Sequence, residues 1–433
     1  MVVPKAGPRA LDDLAEFLEP FGELVVRSES REALERYTTG LLSDVSRKTA
    51  SEIGRSLPRT NGQRLQELLT RTSWEFQQMD RQRIAHMLER ASVGKGVVIV
   101  DDTGLPKKGR HSVGVTRQYS GTLGRVDNCQ VVVTTHYVDG VFDWPVNARV
   151  YLPKDWANDR QRRTGAHVPR EVPFRTKGQI GLHLIDAARE AGIAPRAVVA
   201  DVGYGDQPAF LDGLETRQLA YVVGVPVSAR FRLAEQVEAD PGDAPAPEYS
   251  GRGRPRKAPS LEQRVASTEA SAILEALPDD AWSQVAWREG TQGPLIKEAV
   301  RIRVYRTGKR AKHVPTAGWL VGERPLEGHD GDRKFYFVWG LDGEDLQELI
   351  GLAHVRWVIE RFYQDGKGEL GLDDYEGRLW PGLHRHLALV MLAHCYLTLR
   401  QSYGPQESLQ RSPPAAGGDP TSCPAPSAAA FPP

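Results

Sequence analysis

Two hydrophobic rhythms divide this chain. Through residues 10–92, apolar side chains recur three and four positions apart, the spacing that lines one side of a helix. Leu11, Leu14, Phe17 and Leu18 make one stripe, and Leu34, Tyr37, Leu41 and Leu42 a second. Leu65, Leu68 and Leu69 open a third that continues toward Trp74, Phe76 and Met87, with Arg and Glu on the other faces. Residues 1–92 are therefore predicted to be a helical N-terminal region. From residue 96 the rhythm shortens. Val97–Val100 is a continuous apolar run of the kind buried in a sheet, and strand patterns follow over 112–120, 130–137 and 146–152. Glycine and an Asp-Asn pair punctuate them, as antiparallel connections require. Next come a predicted helix over 178–191, a strand ending at Asp201, a short helix near 207–215 and a strand over 220–225.

Strands, helix, strand, helix, strand is the element order of an RNase H-like α/β fold, a mixed sheet flanked by helices. Residues 93–225 are assigned to the first part of that core. Residues 226–343 interrupt it. Pro, Gly and Asp dominate 240–260, a predicted flexible linker, and strand-like runs over 300–305, 318–321 and 334–339 make the rest a mainly β insertion. The core resumes over 344–401, with helices predicted over 354–367 and 383–400. From Ser402 onward Pro, Ser, Ala and Gly take over, and 402–433 is predicted to be a disordered tail.

Composition changes this picture little. The 433 residues are 40% apolar, enough for a sizeable core in two or three domains. Lys plus Arg and Asp plus Glu are both 56, so the net charge is zero and total charge selects no partner. The cations cluster nonetheless: Lys107, Lys108, Arg110 and Arg117 in one group, and Arg160, Arg162, Arg163, Arg170, Arg175 and Lys177 in another. Cys129, Cys395 and Cys423 lack metal-binding spacing and suggest no disulfide framework, as expected in a reducing cytoplasm. The N-terminus shows no long apolar signal region, and the run 387–399 is too short to span a bilayer. No Gly-rich dinucleotide or Walker-type phosphate loop is present, so no nucleotide cofactor is expected.

Three acids carry the candidate chemistry. Asp101 ends the run Val97–Val100, Asp201 ends the run Ala197–Ala200, and Glu360 sits in the segment 354–367. Strand ends fix Cα positions and can aim carboxylates at one spot. Adjacent strand residues point to opposite faces, so only one of Asp101 and Asp102 belongs in a given site; Asp101 is favoured and Asp102 is the alternative. Arg356, Glu360 and Lys367 are spaced four and seven apart, which puts them on one helical face. Taken alone, that face reads as a solvated salt bridge. Together with two strand-end aspartates it reads as a carboxylate cluster for two hard divalent cations, Mg²⁺ with Mn²⁺ as a substitute. Such a pair, about 4 Å apart, suits phosphodiester chemistry.

At these residues the chain resembles the DDE transposases of bacterial insertion sequences, in the branch with a β-rich insertion before the last acid. The resemblance runs from about Asp12 to Arg400. It is most specific in Asp101–Val115, in Ala200–Asp206 and in the Arg356/Glu360/Lys367 helix. One departure is Ala353, where the family pattern has a tyrosine three residues before the arginine. The resemblance implies that Asp101, Asp201 and Glu360 are catalytic metal ligands and that Arg356 and Lys367 contact phosphates near the cleaved end. It also implies double-stranded DNA as partner (element ends and target), a homodimer on DNA, and cleavage followed by strand transfer. Rival readings are an RNase H-like nuclease without strand transfer and a DNA-binding derivative that no longer cuts.

Other basic residues are read against that background. Lys107, Lys108 and Arg110 follow Asp101 closely and are candidate DNA contacts. Arg252 and Arg254, in Gly251-Arg-Gly-Arg-Pro, match the core of a minor-groove peptide, with a basic linker as the alternative. The N-terminal helices are either a bundle packed on the core or a module for DNA ends or dimerisation. Trp282 and Trp287 are read as core rather than base-stacking residues, and His136 as a packed or hydrogen-bonded strand residue.

Overall fold

The structure, a computed structural model, describes residues 12–92, 94–120, 124–240, 261–290, 293–307 and 317–407. Arg252 and Arg254 lie outside these residues, as do residues 408–433 of the predicted tail; residues 402–407, which the composition places in that tail, instead continue the last helix.

The core sheet begins with β1 (Val97–Pro106), β2 (Thr116–Ser120), β3 (Arg125–Val138) and β4 (Asp143–Val150). β3 lies antiparallel to β1 along one edge, while β2 and β4 share its other edge end to end. β5 (Ala197–Ala200) and β6 (Tyr221–Gly224) then add in parallel, β5 beside β1 and β6 beside β5. The order β4-β3-β1-β5-β6 is an RNase H-like sheet. The run Val97–Val100 is apolar throughout because helices cover both faces. α8 (Lys177–Glu190) packs on one face; α15 (Trp357–Gly368) and α16 (Trp380–Glu407) pack on β1 and β4 from the other.

The insertion continues this sheet instead of standing apart from it. β12 (Lys334–Trp339) pairs antiparallel with β6, followed by β11 (Ala317–Arg324) and β10 (Gly293–Arg306). β7 (Arg230–Leu233) and β9 (Ser283–Gly290) share the far edge of β10, and the short β8 (Thr268–Glu269) ends the row. The result is one 12-stranded sheet. An unpaired β6 would present an open hydrogen-bonding edge; β12 satisfies it.

Three details differ from the sequence reading. Over 112–120 only Thr116–Ser120 is strand, because Gly114 turns at φ +73° and any side chain there would meet the Tyr151 carbonyl. β7 and β9 were not foreseen, their alternation being diluted by arginine and glutamate. The predicted helix over 354–367 is two: α14 (Leu346–His354) and α15, joined by a tight turn at Val355–Arg356.

Of the N-terminal helices, α1 (Asp12–Gly22), α2 (Ser28–Leu42), α4 (Gly62–Thr70) and α5 (Phe76–Leu88) pack against α16, α3 (Ala50–Ser56) packs on α2 and α4, and α5 also meets β4. Arg83 is the main polar tie. Fully buried, it pairs with Asp80 at 2.8 Å and donates to the carbonyls of Pro145 and Val146 on β4. Removing one member of a buried ion pair leaves an uncompensated charge, so Arg83→Ala is expected to lower stability by about 3–5 kcal/mol in a denaturant titration.

Candidate active site

β1 and β5 are in register from Val97 opposite Ala197 to Val100 opposite Ala200, so Asp101 and Asp201 follow the last pair on neighbouring parallel strands. Parallel neighbours run about 4.8 Å apart, which sets the two backbones side by side. Asp201 also caps the short helix α9 (Val202–Gly205), its Oδ1 accepting from the Tyr204 amide at 3.2 Å. Gly205 permits this turn: a Cβ there would strike the Gly224 carbonyl of β6 at 1.9 Å.

Helix α15 brings the third acid. Arg356, at its start, donates to Asp101 Oδ2 at 2.7 Å and also bonds Glu360, so one guanidinium joins the two carboxylates. Two further bonds hold α15 to the sheet. The Tyr363 hydroxyl meets Thr134 Oγ1 at 2.5 Å, and Lys367 Nζ donates to Thr103 Oγ1 at 2.7 Å. Thr134 is the cross-strand partner of Asp101, and Thr103 lies two residues further along the same face. Arg356, Glu360 and Lys367 therefore do share one helix face, and it faces the Asp101 side of the sheet.

Asp102 points the other way. Lys177, at the start of α8, donates to its Oδ1 at 2.9 Å, and the buried Tyr204 hydroxyl reaches its Oδ2 at 3.4 Å. A lysine at a helix N-terminus opposes the helix dipole; the pairing with Asp102 compensates it. The sequence marks this helix start by its capping box, Thr176 with Gln179, but not the lysine's partner. Tyr204 and Tyr363 were likewise missed. Their signals were weak: each is an aromatic three residues after an acid of the cluster, Asp201 and Glu360.

Electrostatics single out Asp101. Burial pushes its carboxyl up to about 7; Arg356 opposes the shift, and Asp201 and Asp102 reinforce it. Burial raises Asp102 as well, against the pull of Lys177. Arg356 alone does not offset the burial of Asp101. Among the described residues, no three acid, His or Cys side chains stand close enough to hold a metal ion as they are, and Arg356 lies between two of the carboxylates. The donor set itself suits a hard cation: carboxylate oxygens only, two of them carried by rigid strand ends and the third by α15.

The other candidate residues divide. Lys107 Nζ donates to the carbonyls of Asp373 and Tyr375, at 3.1 and 2.8 Å, so it ties down a loop. Lys108 and Arg110 are exposed. Trp287 stacks on His354 with ring centres 4.0 Å apart, and Arg324 lies over Trp282. His136 is buried, with Nε2 3.3 Å from Asp143 Oδ1.

An RNase H-like sheet with two aspartates on adjacent strand ends and a helix-borne glutamate defines a class of nucleic-acid-processing folds. The chain belongs to the DDE superfamily endonucleases, whose family pattern matches residues 16–294. That match takes in Asp101 and Asp201 and stops before α15. A probable transposase for insertion sequence element IS701, from Microchaete diplosiphon, is 29% identical over 228 residues. The alignment covers 52% of this chain and 57% of that protein's length. Among the described residues no helix is long and apolar enough to cross a membrane.

Proposed function

We propose that this chain is a divalent-metal-dependent DNA transposase, which nicks duplex DNA at the ends of an insertion sequence and joins the freed 3′ end to target DNA. Asp101, Asp201 and Glu360 are the metal ligands in this reading, and Mg²⁺ is the physiological ion. The observation that carries it is the Arg356 bridge between Asp101 and Glu360, at a point where Asp101 also feels Asp201. The family membership and the similarity to an insertion-sequence transposase support the same reading.

Bound divalent ions would supply charge for the attacking water and the leaving oxygen. The chain's residues do the rest. β1 and β5 hold Asp101 and Asp201 at fixed separation, so little reorganisation precedes the reaction. Arg356 exchanges its carboxylate partners for phosphate oxygens as the site loads, since a guanidinium fork suits either. Lys367 anchors α15 near Thr103 and presents its charge to the same strand of DNA. Asp102, paired with Lys177, stays outside the ligand set. The protein works as a dimer on DNA in the cytoplasm, with residues 1–92 as an end-binding or dimer-forming region, 93–225 and 344–401 as the catalytic core, and 226–343, including Arg252 and Arg254, adding DNA contacts.

The test is cleavage of labelled duplex carrying the sequences that flank the reading frame, with Mg²⁺, Mn²⁺ or EDTA. Nicking at the flanks with either metal and none with EDTA is expected, followed by joining to a supercoiled target. Nicking without joining would reduce the protein to a nuclease. Binding with no cutting under any metal would remove the enzymatic reading.

A further inference from the structure

β3 runs on past the end of β1. Pro106 is opposite Cys129, and beyond that point Arg125–Asn128 has β2 on one edge and only the loop after β1 on the other. Asn128 fastens that loop: its backbone carbonyl accepts from the Lys107 amide at 2.9 Å, and its side chain donates to the Gly109 carbonyl, also at 2.9 Å. The result is a ribbon projecting from the sheet, carrying two large exposed side chains. Tyr119 is 62% exposed and Val126 is 54% exposed, and they are direct cross-strand partners. Among the described residues no packing accounts for an aromatic–aliphatic pair left in water.

The register says where this pair points. Val126 is 134 − 126 = 8 residues from Thr134, an even number, so it shares the face of Thr134 and of Asp101. Tyr119 opposite Val126, and Arg117 opposite Asn128, share that face too. At about 3.4 Å per residue, the pair lies about 27 Å along the sheet from Asp101. One duplex base pair rises about 3.4 Å, so the span is about eight base pairs. Charge selects the occupant. Residues 106–128 hold five Lys or Arg (Lys107, Lys108, Arg110, Arg117, Arg125) against one acid, Asp127. Lys108, Arg110 and Arg117 are exposed, and Asp127 is paired with Arg125.

We infer that this ribbon is a second duplex-DNA contact on the active-site face, about eight base pairs from the scissile phosphate. Lys108, Arg110 and Arg117 grip the backbone, while Tyr119 and Val126 pack against the sugars and base edges of the minor groove. The inference rests on the proposed DNA-cutting function and adds a footprint to it.

The experiment uses the full chain and labelled duplex bearing the sequences that flank the reading frame. Wild type is compared with the double variant Tyr119→Ala/Val126→Ala. Both side chains are exposed, so an unchanged Tm is expected. Affinity should fall about tenfold, the scale of losing one aromatic contact to nucleic acid, with the nick position unchanged. On duplexes trimmed to end fewer than about eight base pairs either side of the nick, wild type and variant should bind alike. If wild type binds no duplex at all, the proposed function fails and takes the inference with it. If wild type binds and cuts and the double variant matches it on the long duplex, the inference alone is overturned. If the variant loses self-association while each protomer binds DNA as before, the ribbon faces a second copy of the chain, which also overturns it.

Discussion

Asp201→Ala and Asp101→Asn are each expected to bring end cleavage below about a thousandth of the wild-type rate while leaving duplex binding within about twofold. A divalent ion supplies several kcal/mol of transition-state charge stabilisation, and each 1.36 kcal/mol is a factor of ten, so losing a ligand costs about three decades or more. Binding rests on cations elsewhere and is spared. The same substitutions have a signature in stability. The Asp101 carboxyl is pushed up to about 7 by burial, and further by Asp201 and Asp102, against Arg356. Its unfolded value is near 3.8. Between those limits the folded state holds more protons than the unfolded one, so stability falls as pH rises from about 4 to 7. Asp101→Asn lacks that titration. Denaturation curves across this range should converge near pH 4 and separate toward neutrality, with the variant the more stable. Coincident curves at pH 4 and 7 would show that Asp101 is not strained in the fold. A variant that cuts at the wild-type rate would remove Asp101 from the site.

The second large effect is expected far from the acids, at Glu323. This residue of β11 has a fully buried carboxylate that accepts from Lys297 Nζ and His354 Nε2, each at 2.6 Å. His354 ends α14, two residues before Arg356, and its ring is stacked on Trp287 of β9. The insertion thus grips the joint from which the Arg356/Glu360 helix departs. Glu323→Gln keeps the volume but strands the partner cation, and should cost about 3 kcal/mol of stability. Nicking should slow by tenfold or more, because a shift of about 1 Å in a positioning element is enough to do so. The pH dependence has a definite sign. Burial works to raise the Glu323 carboxyl, but the bonds from His354 and Lys297 outweigh it and leave the value below 4.5. A depressed carboxylate stabilises the fold above its unfolded value and loses that contribution as pH falls through the folded one. Wild type should therefore lose more stability than Glu323→Gln when acidified from about pH 5 to 3. Full nicking by a well-folded Glu323→Gln would break the proposed link between insertion and helix.

What could be read from sequence follows what is local. The apolar runs before Asp101 and Asp201 are buried on both faces, and continuous hydrophobicity records that directly. The spacing of Arg356, Glu360 and Lys367 is a helical period, and the face they share is the one that meets β1. Even the order of strands and helices is a one-dimensional property, sufficient to name the fold class.

Pairing across the chain is not local. Neighbouring side chains cannot say that Lys107 spends its charge on carbonyls at 373 and 375, or that Lys177 claims Asp102 and so separates it from Asp101. The break at Val355–Arg356 falls within a periodic pattern and coincides with the grip of Glu323 and Trp287 on His354. That the insertion extends the core sheet depends on which edge β12 finds. The acids and their order were determined by the sequence itself, because each is tied to the element that carries it. Which acid faces which cation, and how the insertion reaches the site, was decided only by tertiary structure, since partners as far as 268 residues apart meet through packing alone.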